Sequence, residues 1–270
     1  MVMTDGNWKT AFRPDIPSSA RIYDYLLGGK DNFPADREAA EELISILPYV
    51  RTAARVNRAF VGRAVRYLVH EAGISQFIDI GSGLPTVGNV HQVARDATAD
   101  AHVVYVDHDP VVLAHVRNMV SGQDGVAIVG HDMRDPAAIL NDQLTRELID
   151  FSRPVGILIV SMLHFVSDDD DPAAIIRRLL EPFPAGSYVA LTHATGDAEP
   201  RAGDVAELYR QATTNLHVRT DKEVLTLVDG MDVVEPGLVW TPLWRPEPAD
   251  PQLADPKSCY YYALVARTRD

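Results

Sequence analysis

Phe77-Ile78-Asp79-Ile80-Gly81-Ser82-Gly83 is the segment of this 270-residue chain that is most informative about its architecture. An apolar run of this length that ends in glycine is typical of a buried strand in a parallel sheet. Residues 102–107 repeat the form, with β-branched residues followed by a carboxylate. Between them, residues 86–97 carry apolar side chains at helical spacing, and Pro85 stands where a first helical turn tolerates proline. The pattern predicts a strand, a helix and a second strand.

The turn after the first strand predicts a binding site for a nucleoside. Gly81 and Gly83, on either side of Ser82, let a ligand approach the backbone closely, and the helix that follows offers unpaired N–H groups. Asp107 ends the second strand, where its carboxylate can accept hydrogen bonds from both hydroxyls of a ribose. We therefore expect these four residues to bind a compound that contains a nucleoside.

The spacing of the same residues favours S-adenosylmethionine over a dinucleotide. The dinucleotide fingerprint has a third glycine where Thr86 stands, and Asp107 follows Gly81 by 26 residues, against roughly 20 in dinucleotide sites. Asp79 would also direct a negative charge towards a pyrophosphate, which is unfavourable. S-adenosylmethionine carries an ammonium, a sulfonium and no phosphate, so the acidic strand end fits it better.

Several stretches resemble the motifs of class I S-adenosylmethionine-dependent methyltransferases: residues 77–83, Val104-Tyr-Val-Asp-His-Asp-Pro110 and Val129-Gly-His-Asp-Met-Arg134. More narrowly, Arg21-Ile-Tyr-Asp-Tyr-Leu-Leu-Gly-Gly-Lys-Asp-Asn-Phe33 and Gly81-Ser-Gly-Leu-Pro-Thr86 resemble an actinobacterial family of S-adenosyl methyltransferases of mostly unassigned substrate. The resemblance covers residues 17–268. It implies an α/β fold with a Rossmann-like, doubly wound, mostly parallel seven-stranded sheet and a C-terminal antiparallel hairpin.

Further candidate cofactor residues follow the later strands. Asp132 can accept a hydrogen bond from the adenine amino group, and Met133 can pack on the ring. Asp132 could instead cap a helix that starts near Pro136. The remaining cofactor-binding candidates are His108, Ser161 and Tyr23.

Two histidines are candidate catalytic residues. His164 lies in a turn after the most apolar strand, and this turn resembles the Leu-His turn of many methyltransferases that act on small substrates. His193 follows the next strand and faces the same edge. Either could serve as a general base, because the unperturbed pKa of histidine lies near neutral pH. His164 could equally be a structural histidine bonded to backbone.

Three helices are predicted before the first strand. We assign residues 1–73 to an N-terminal arm and a helical lid, and residues 74–270 to the methyltransferase domain, with a helical insertion at about 199–218. Tyr23, Asn32 and Phe33 would face the ligand if the helices form a lid, which would keep water from the reacting groups. Alternatively, the helices only stabilise the sheet. We expect Asn57 and Arg58, in a helix interior, to be structural.

Composition narrows the class of protein. The net charge of −13 repels nucleic acid, and no apolar run reaches the length of a membrane span. The N-terminus lacks the pattern of a secretory signal, so we expect a soluble, cytoplasmic protein. The four consecutive carboxylates at residues 168–171 are expected to cap a helix, and no metal site is predicted.

Taken together, the sequence predicts an S-adenosylmethionine-dependent methyltransferase that acts on an unidentified small molecule, with no nucleic-acid or membrane partner. Two alternatives remain at this point: an NAD-dependent oxidoreductase, which would use the same glycine turn and ribose carboxylate, and a non-catalytic protein that binds S-adenosylmethionine. The sequence does not specify the oligomeric state.

Overall fold

The central element of the structure is an eight-stranded sheet. The computed structural model describes residues 13–86, 88–197, 205, 207 and 215–269. The strands are β1 Gln76–Ile80, β2 His102–Asp107, β3 Val126–Gly130, β4 Gly156–Val160, β5 Tyr188–Ala194, β6 Asp232–Val233, β7 Val239–Trp240 and β8 Tyr261–Arg267. Their order is β3-β2-β1-β4-β5-β8-β6, and β7 also pairs with β8.

The first five strands run parallel to one another, so their carboxyl ends lie along one edge of the sheet. β8 is antiparallel to β5, β6 and β7. This is the predicted doubly wound, mostly parallel Rossmann-like architecture with antiparallel C-terminal strands. The strand order reverses between β1 and β4, which is where open α/β sheets bind their ligands.

The sheet has one strand more than the seven predicted. Residues 231–240, at the predicted C-terminal hairpin, contain two short strands, β6 and β7, and both pair with β8. A turn separates them at Gly237, which has a φ of +85° that favours glycine.

Helices cover the sheet and its carboxyl edge. The described helices are α1 Ser19–Leu27, α2 Pro34–Ile46, α3 Val50–His70, α4 Val90–Ala97, α5 Pro110–Val120, α6 Pro136–Asn141, α7 Gln143–Leu148, α8 Pro172–Leu180 and α9 Asp221–Thr226. α4 begins four residues later than predicted from residue 86. Asn89 is the N-cap of α4, and its backbone N–H donates to the Gln92 side chain at 2.9 Å, as in a capping box.

The helices before β1 pack in two ways. Phe60 and Leu68 of α3 share a buried cluster with Phe77 of β1. α1 and α2 pack on each other in a separate cluster that includes Ile22 and Leu43. α3 therefore belongs to the core of the sheet, although it falls within the predicted lid. Residues 1–12 of the predicted arm, and most of the insertion predicted at about 199–218, lie outside the described residues.

Candidate active site

A cavity of about 480 Å³ lies at the carboxyl edge of the sheet, where the strand order reverses. This volume lies within the roughly 300–1,000 Å³ of small-molecule sites. All ten predicted cofactor residues line the cavity, as does one of the two predicted catalytic histidines: Tyr23, Asp79, Gly81, Ser82, Gly83, Asp107, His108, Asp132, Met133, Ser161 and His164.

The glycine turn after β1 forms one wall of the cavity. Gly81 has a φ of +67°, and a Cβ atom added there would lie 2.3 Å from the sulfur of Met162. Only glycine therefore fits this position without displacing Met162. Gly83, with a φ of +65°, donates its backbone N–H to the Asp107 carboxylate at 3.0 Å. The turn is thus held against the end of β2.

Two buried carboxylates, Asp79 and Asp107, line the cavity beside this turn. Burial raises the pKa of Asp79 to about 7. The positive charge of Arg58 lowers this pKa and the negative charge of Asp107 raises it, but burial is the largest effect. Burial also raises the pKa of Asp107, although its carboxylate accepts backbone N–H groups from Gly83, His108 and Asp109. Since burial disfavours the charged form of a carboxyl group, a cation near Asp79 would stabilise the ionised site.

Arg58 of α3 lines the same cavity, in contrast to the structural role expected for it. One of its terminal nitrogens donates to the Gly88 carbonyl at 3.0 Å and to the Asn89 side chain at 3.3 Å. Its Nε atom is buried without a hydrogen-bond partner among the described residues. A buried donor that lacks a partner is costly, so this nitrogen is suited to an anionic group of a ligand.

The loop after β3 supplies the candidate adenine contacts. Met133 is buried and Asp132 is half-exposed. The Asp132 carboxylate accepts hydrogen bonds from the Arg134 Nε atom, at 3.0 and 3.1 Å to its two oxygens, and from a terminal guanidinium nitrogen. This pairing lowers the pKa of Asp132. Asp132 therefore does not cap the next helix: Asp135 does so, accepting the Ala138 N–H at 3.0 Å.

A chain of hydrogen bonds joins the N-terminal helices to the strand ends. The Tyr23 hydroxyl donates to the Ala54 carbonyl and accepts the Asn57 side-chain amide, each at 3.0 Å. Asn57 in turn accepts the Thr192 hydroxyl at 2.6 Å, and Thr192 accepts the Ser161 N–H at 2.9 Å. Burial raises the pKa of Tyr23 to about 12, so its hydroxyl keeps its proton. Asn57, expected to be purely structural, lines the cavity.

Asn32 and Phe33 do not line the cavity, contrary to the prediction that they face the ligand. The Asn32 amide donates to Asp24 at 2.8 Å, and its oxygen accepts from Arg37 at 2.9 Å. The Phe33 N–H donates to the Asp36 carboxylate at 2.8 Å, at the start of α2. Both residues thus fix the connection between α1 and α2.

His164 is the candidate catalytic residue that the structure places in the cavity wall. Its side chain is buried, and burial holds its pKa well below the usual value. Nδ1 accepts the backbone N–H of Ala194 at 3.4 Å, which places the proton of the neutral ring on Nε2. In this state His164 offers a hydrogen-bond donor, and it is not poised as a general base at Nε2.

His193 does not line the cavity. Nδ1 lies 2.7 Å from the Ala194 carbonyl, and Nε2 lies 2.8 Å from a guanidinium nitrogen of Arg219. Burial lowers the pKa of His193 to about 4. Because both ring nitrogens are engaged away from the cavity, we do not propose His193 as a catalytic base.

The described residues contain no group of three or more His, Cys, Asp or Glu side chains arranged to hold a metal ion. Their helices include none that is long and apolar enough to cross a membrane.

Comparison with known families identifies the cofactor of this protein. The sequence model of a family described as S-adenosyl methyltransferase matches residues 7–269. The chain belongs to this family. The methyltransferase therefore uses S-adenosylmethionine, and the alternative of a nicotinamide dinucleotide is not supported.

Two crystal structures match the methyltransferase over nearly its whole length. A DUF574 family protein from Streptomyces avermitilis is 40% identical with a TM-score of 0.91, over 95% of this chain and 100% of the other. A candidate methyltransferase from Thermobifida fusca is 39% identical with a TM-score of 0.90, over 100% of both chains. The mitomycin 7-O-methyltransferase is 20% identical with a TM-score of 0.50, over 86% of this chain and 58% of its own, which concerns the fold alone. No curated protein sequence matches the chain.

The residues of the cavity fit the cofactor of this family. Asp79 and Asp107 would supply negative charge to a cofactor that is cationic and polar, and the buried Nε atom of Arg58 would suit its carboxylate. Gly81 and Gly83 leave the backbone accessible along the same wall. Charge, hydrogen-bonding capacity and size therefore agree.

Proposed function

We propose that this methyltransferase binds S-adenosylmethionine along the ends of β1, β2 and β3 and methylates an O, N or C atom of a small molecule. The observation that carries the proposal is that Asp79 and Asp107 line one cavity, with the glycine turn between them. The net charge of −13 supports a small-molecule acceptor over a nucleic acid. We also propose a cytoplasmic location and an actinobacterial source, the latter from the two related crystal structures.

Each wall of the cavity would hold one part of the cofactor. Asp107, oriented by three backbone N–H groups, would accept the ribose hydroxyls, and His108 lies beside it. Asp79 would face the ammonium, and Arg58 would bind the carboxylate. Met133 would pack on adenine, while Asp132, held by Arg134, would accept its amino group.

When bound, S-adenosylmethionine supplies a methyl group whose bond to sulfur breaks with both electrons left on sulfur, as a lone pair of the acceptor forms the new bond. The chain contributes alignment, and holding two reactants in line can remove roughly 7–11 kcal/mol from a barrier. His164 would donate a hydrogen bond from Nε2 to the acceptor. Where the acceptor still carries a proton, the methylated product would leave the site with it and release it to bulk solvent.

We further propose that α1, α2 and the N-terminal half of α3 act as the lid. Tyr23, Asn57 and Arg58 line the cavity from this side. The Ser18 hydroxyl donates to the Asp109 carboxylate at 2.7 Å, which fastens the start of α1 to the start of α5. Such closure excludes water from the reacting groups.

Two measurements on the purified protein test this function. We expect S-adenosylhomocysteine to bind in calorimetry, and NADH not to bind. We also expect label from methyl-labelled S-adenosylmethionine to appear in a small-molecule fraction of a cell extract. Transfer only to nucleic acid or protein would contradict the proposed substrate class. Binding without transfer to any fraction would favour a non-catalytic role.

A further inference from the structure

Arg219 is a buried residue whose guanidinium holds the turn after β4. Its side chain is only 6% exposed. One terminal nitrogen donates to the Leu163 carbonyl and the other to the Val166 carbonyl, each at 3.0 Å. Between these two residues, the His164 carbonyl accepts the backbone N–H of His217 at 2.7 Å. The segment that contains residues 217 and 219 therefore binds the turn at three backbone carbonyls.

This turn forms part of the cavity wall. Residues 163–165 make a single 3₁₀ turn, and His164, Phe165 and Val166 all line the cavity. Short 3₁₀ turns have poor internal hydrogen-bond geometry, so their shape depends on the contacts that surrounding residues supply. For the turn after β4, Arg219 supplies such contacts on both sides of His164.

Arg219 also reaches His164 through the end of β5. It donates to Nε2 of His193 at 2.8 Å, and because a guanidinium can only donate, this nitrogen carries no proton. Nδ1 of His193 then donates to the Ala194 carbonyl at 2.7 Å, and the Arg219 N–H donates to the same carbonyl at 3.4 Å. The Ala194 N–H is the group that donates to Nδ1 of His164. Arg219 thus holds both the turn that carries His164 and the strand end that orients its ring.

The remaining contacts of the guanidinium are with Asp168. The Asp168 carboxylate accepts hydrogen bonds from Nε at 3.2 Å and from a terminal nitrogen at 2.6 Å. Each of the three guanidinium nitrogens therefore has an acceptor within the protein. Arg219 is also not one of the residues that line the cavity, so its effect on a methyl acceptor passes through the turn.

We propose that Arg219 is a positioning residue for methyl transfer, which holds the turn after β4 so that Nε2 of His164 is directed at the acceptor. This inference rests on the proposed function, because it takes His164 as a residue that contacts the acceptor. It adds a residue outside the cavity to those on which the reaction depends. The role of Arg219 is alignment, and a small displacement of aligned reactants is costly in rate.

Arg219→Met tests the proposal without any substrate. Nitrogen-15 NMR of the full chain reads the tautomer of His164, for which the structure gives a proton on Nε2 alone. We expect Arg219→Met to lose this single signal and to show a mixture of both neutral tautomers, because the released turn no longer holds Nδ1 against the Ala194 N–H. An unchanged His164 tautomer in folded Arg219→Met overturns the proposal.

Arg63→Met is the matched control. Arg63 is equally buried, and its guanidinium likewise donates to two carbonyls, those of Thr241 and Trp244, each at 2.8 Å, and to one carboxylate. It does not line the cavity. We expect Arg63→Met to lower the thermal midpoint as Arg219→Met does but to leave the His164 tautomer unchanged. The same tautomer change in both variants would indicate a general loss of packing and overturn the proposal.

Arg219→Lys keeps the proposal testable if Arg219→Met does not fold. Lysine keeps the positive charge beside Asp168 but lacks the planar fork that binds two carbonyls at once. We therefore expect a partial loss of the single His164 tautomer in Arg219→Lys. A fully wild-type tautomer in this variant overturns the proposal, because charge alone would then suffice.

Cofactor binding and methyl transfer separate this inference from the proposed function. In Arg219→Lys we expect S-adenosylhomocysteine affinity to change less than about threefold in calorimetry, because the cofactor side is untouched. The initial rate at which label from S-adenosylmethionine enters the small-molecule fraction should fall roughly tenfold to 100-fold. A wild-type transfer rate in this variant overturns the inference alone. Failure of the wild-type protein to bind S-adenosylhomocysteine contradicts the proposed function instead.

Discussion

The strand ends on the two sides of the switch point differ in their chemistry. β1 and β2 bring Asp79 and Asp107 to the cavity, whereas the region of β4 and β5 brings His164 to its wall and His193 behind it. Burial raises the pKa of both aspartates and lowers the pKa of both histidines. The same cause therefore drives acids and bases alike towards their neutral forms.

The consequences on the two sides are opposite. A nearby cation would stabilise the ionised form of a carboxyl group whose pKa is about 7. The side of Asp79 therefore suits a positively charged cofactor. The buried histidines on the other side are driven to their neutral forms, so that side offers hydrogen bonds and no positive charge. Sensitivity to mutation and pH should therefore be concentrated on the side of β1 and β2.

The largest effect is expected from Asp107→Ala. Loss of two hydrogen bonds to a charged group, at about 1.5–3 kcal/mol each, should weaken S-adenosylhomocysteine binding roughly 100-fold or more. Calorimetry should show that binding of 5′-methylthioadenosine weakens by a similar factor, because this ligand lacks the amino-acid part of the cofactor but keeps the ribose. Affinity for both ligands within about threefold of wild type would refute the ribose role of Asp107.

Asp79→Asn should produce the next largest effect. We expect roughly 10-fold to 100-fold weaker binding of S-adenosylhomocysteine, since one charge-assisted hydrogen bond to the ammonium is lost. 5′-Methylthioadenosine has no ammonium and should bind as it does to the wild type. If calorimetry shows that binding of both ligands weakens equally, Asp79 acts on the shape of the site and not on the ammonium.

The same variant tests the raised pKa of Asp79. Between about pH 4 and 7 the Asp79 carboxyl group keeps its proton in the folded protein but loses it in the unfolded chain. Asp79 therefore makes the stability of the ligand-free protein fall as pH rises through that window. In Asp79→Asn the fall should be smaller, measured as the thermal midpoint across the window. Parallel midpoint curves for the two proteins would contradict the raised pKa.

Arg58→Met should have a smaller effect that is also specific to the amino-acid part. Loss of the guanidinium should weaken S-adenosylhomocysteine binding about tenfold, equivalent to one hydrogen bond to a charged group, and leave 5′-methylthioadenosine unchanged. Arg95→Met is the matched control, because the Nε atom of Arg95 is also buried without a described partner but the residue does not line the cavity. A similar loss in both variants would reject the carboxylate role.

The difference between the two sides of the site also explains what the sequence could predict. Parallel strands end at the same edge of a sheet, so the position of Asp79, Gly81 and Asp107 at one edge could be predicted from their spacing alone. The split of the last strands into β6 and β7 could not be predicted, because it depends on a local turn at Gly237.

Residues of the lid were harder to assign. Asn57 and Arg58 lie within a long helix whose apolar pattern already accounts for its burial, so no local signal separates cavity residues from core residues. His193 illustrates the opposite error: its place at a strand end was predicted, but its orientation depends on Arg219, which is distant in sequence. Such contacts are fixed by tertiary packing, which spacing does not encode.

The smallest expected effect is the absence of a titration, and it compares the two histidines directly. The backbone of Ala194 meets both rings: its N–H donates to Nδ1 of His164, while its carbonyl lies 2.7 Å from Nδ1 of His193. We therefore expect opposite neutral tautomers, with the proton on Nε2 in His164 and on Nδ1 in His193. Nitrogen-15 NMR of the imidazoles, assigned with His164→Gln and His193→Gln, distinguishes them. Neither ring should titrate between about pH 6 and 8, because burial lowers both pKa values. A His164 midpoint inside that range would restore a general base to the acceptor side and remove the contrast between the two sides.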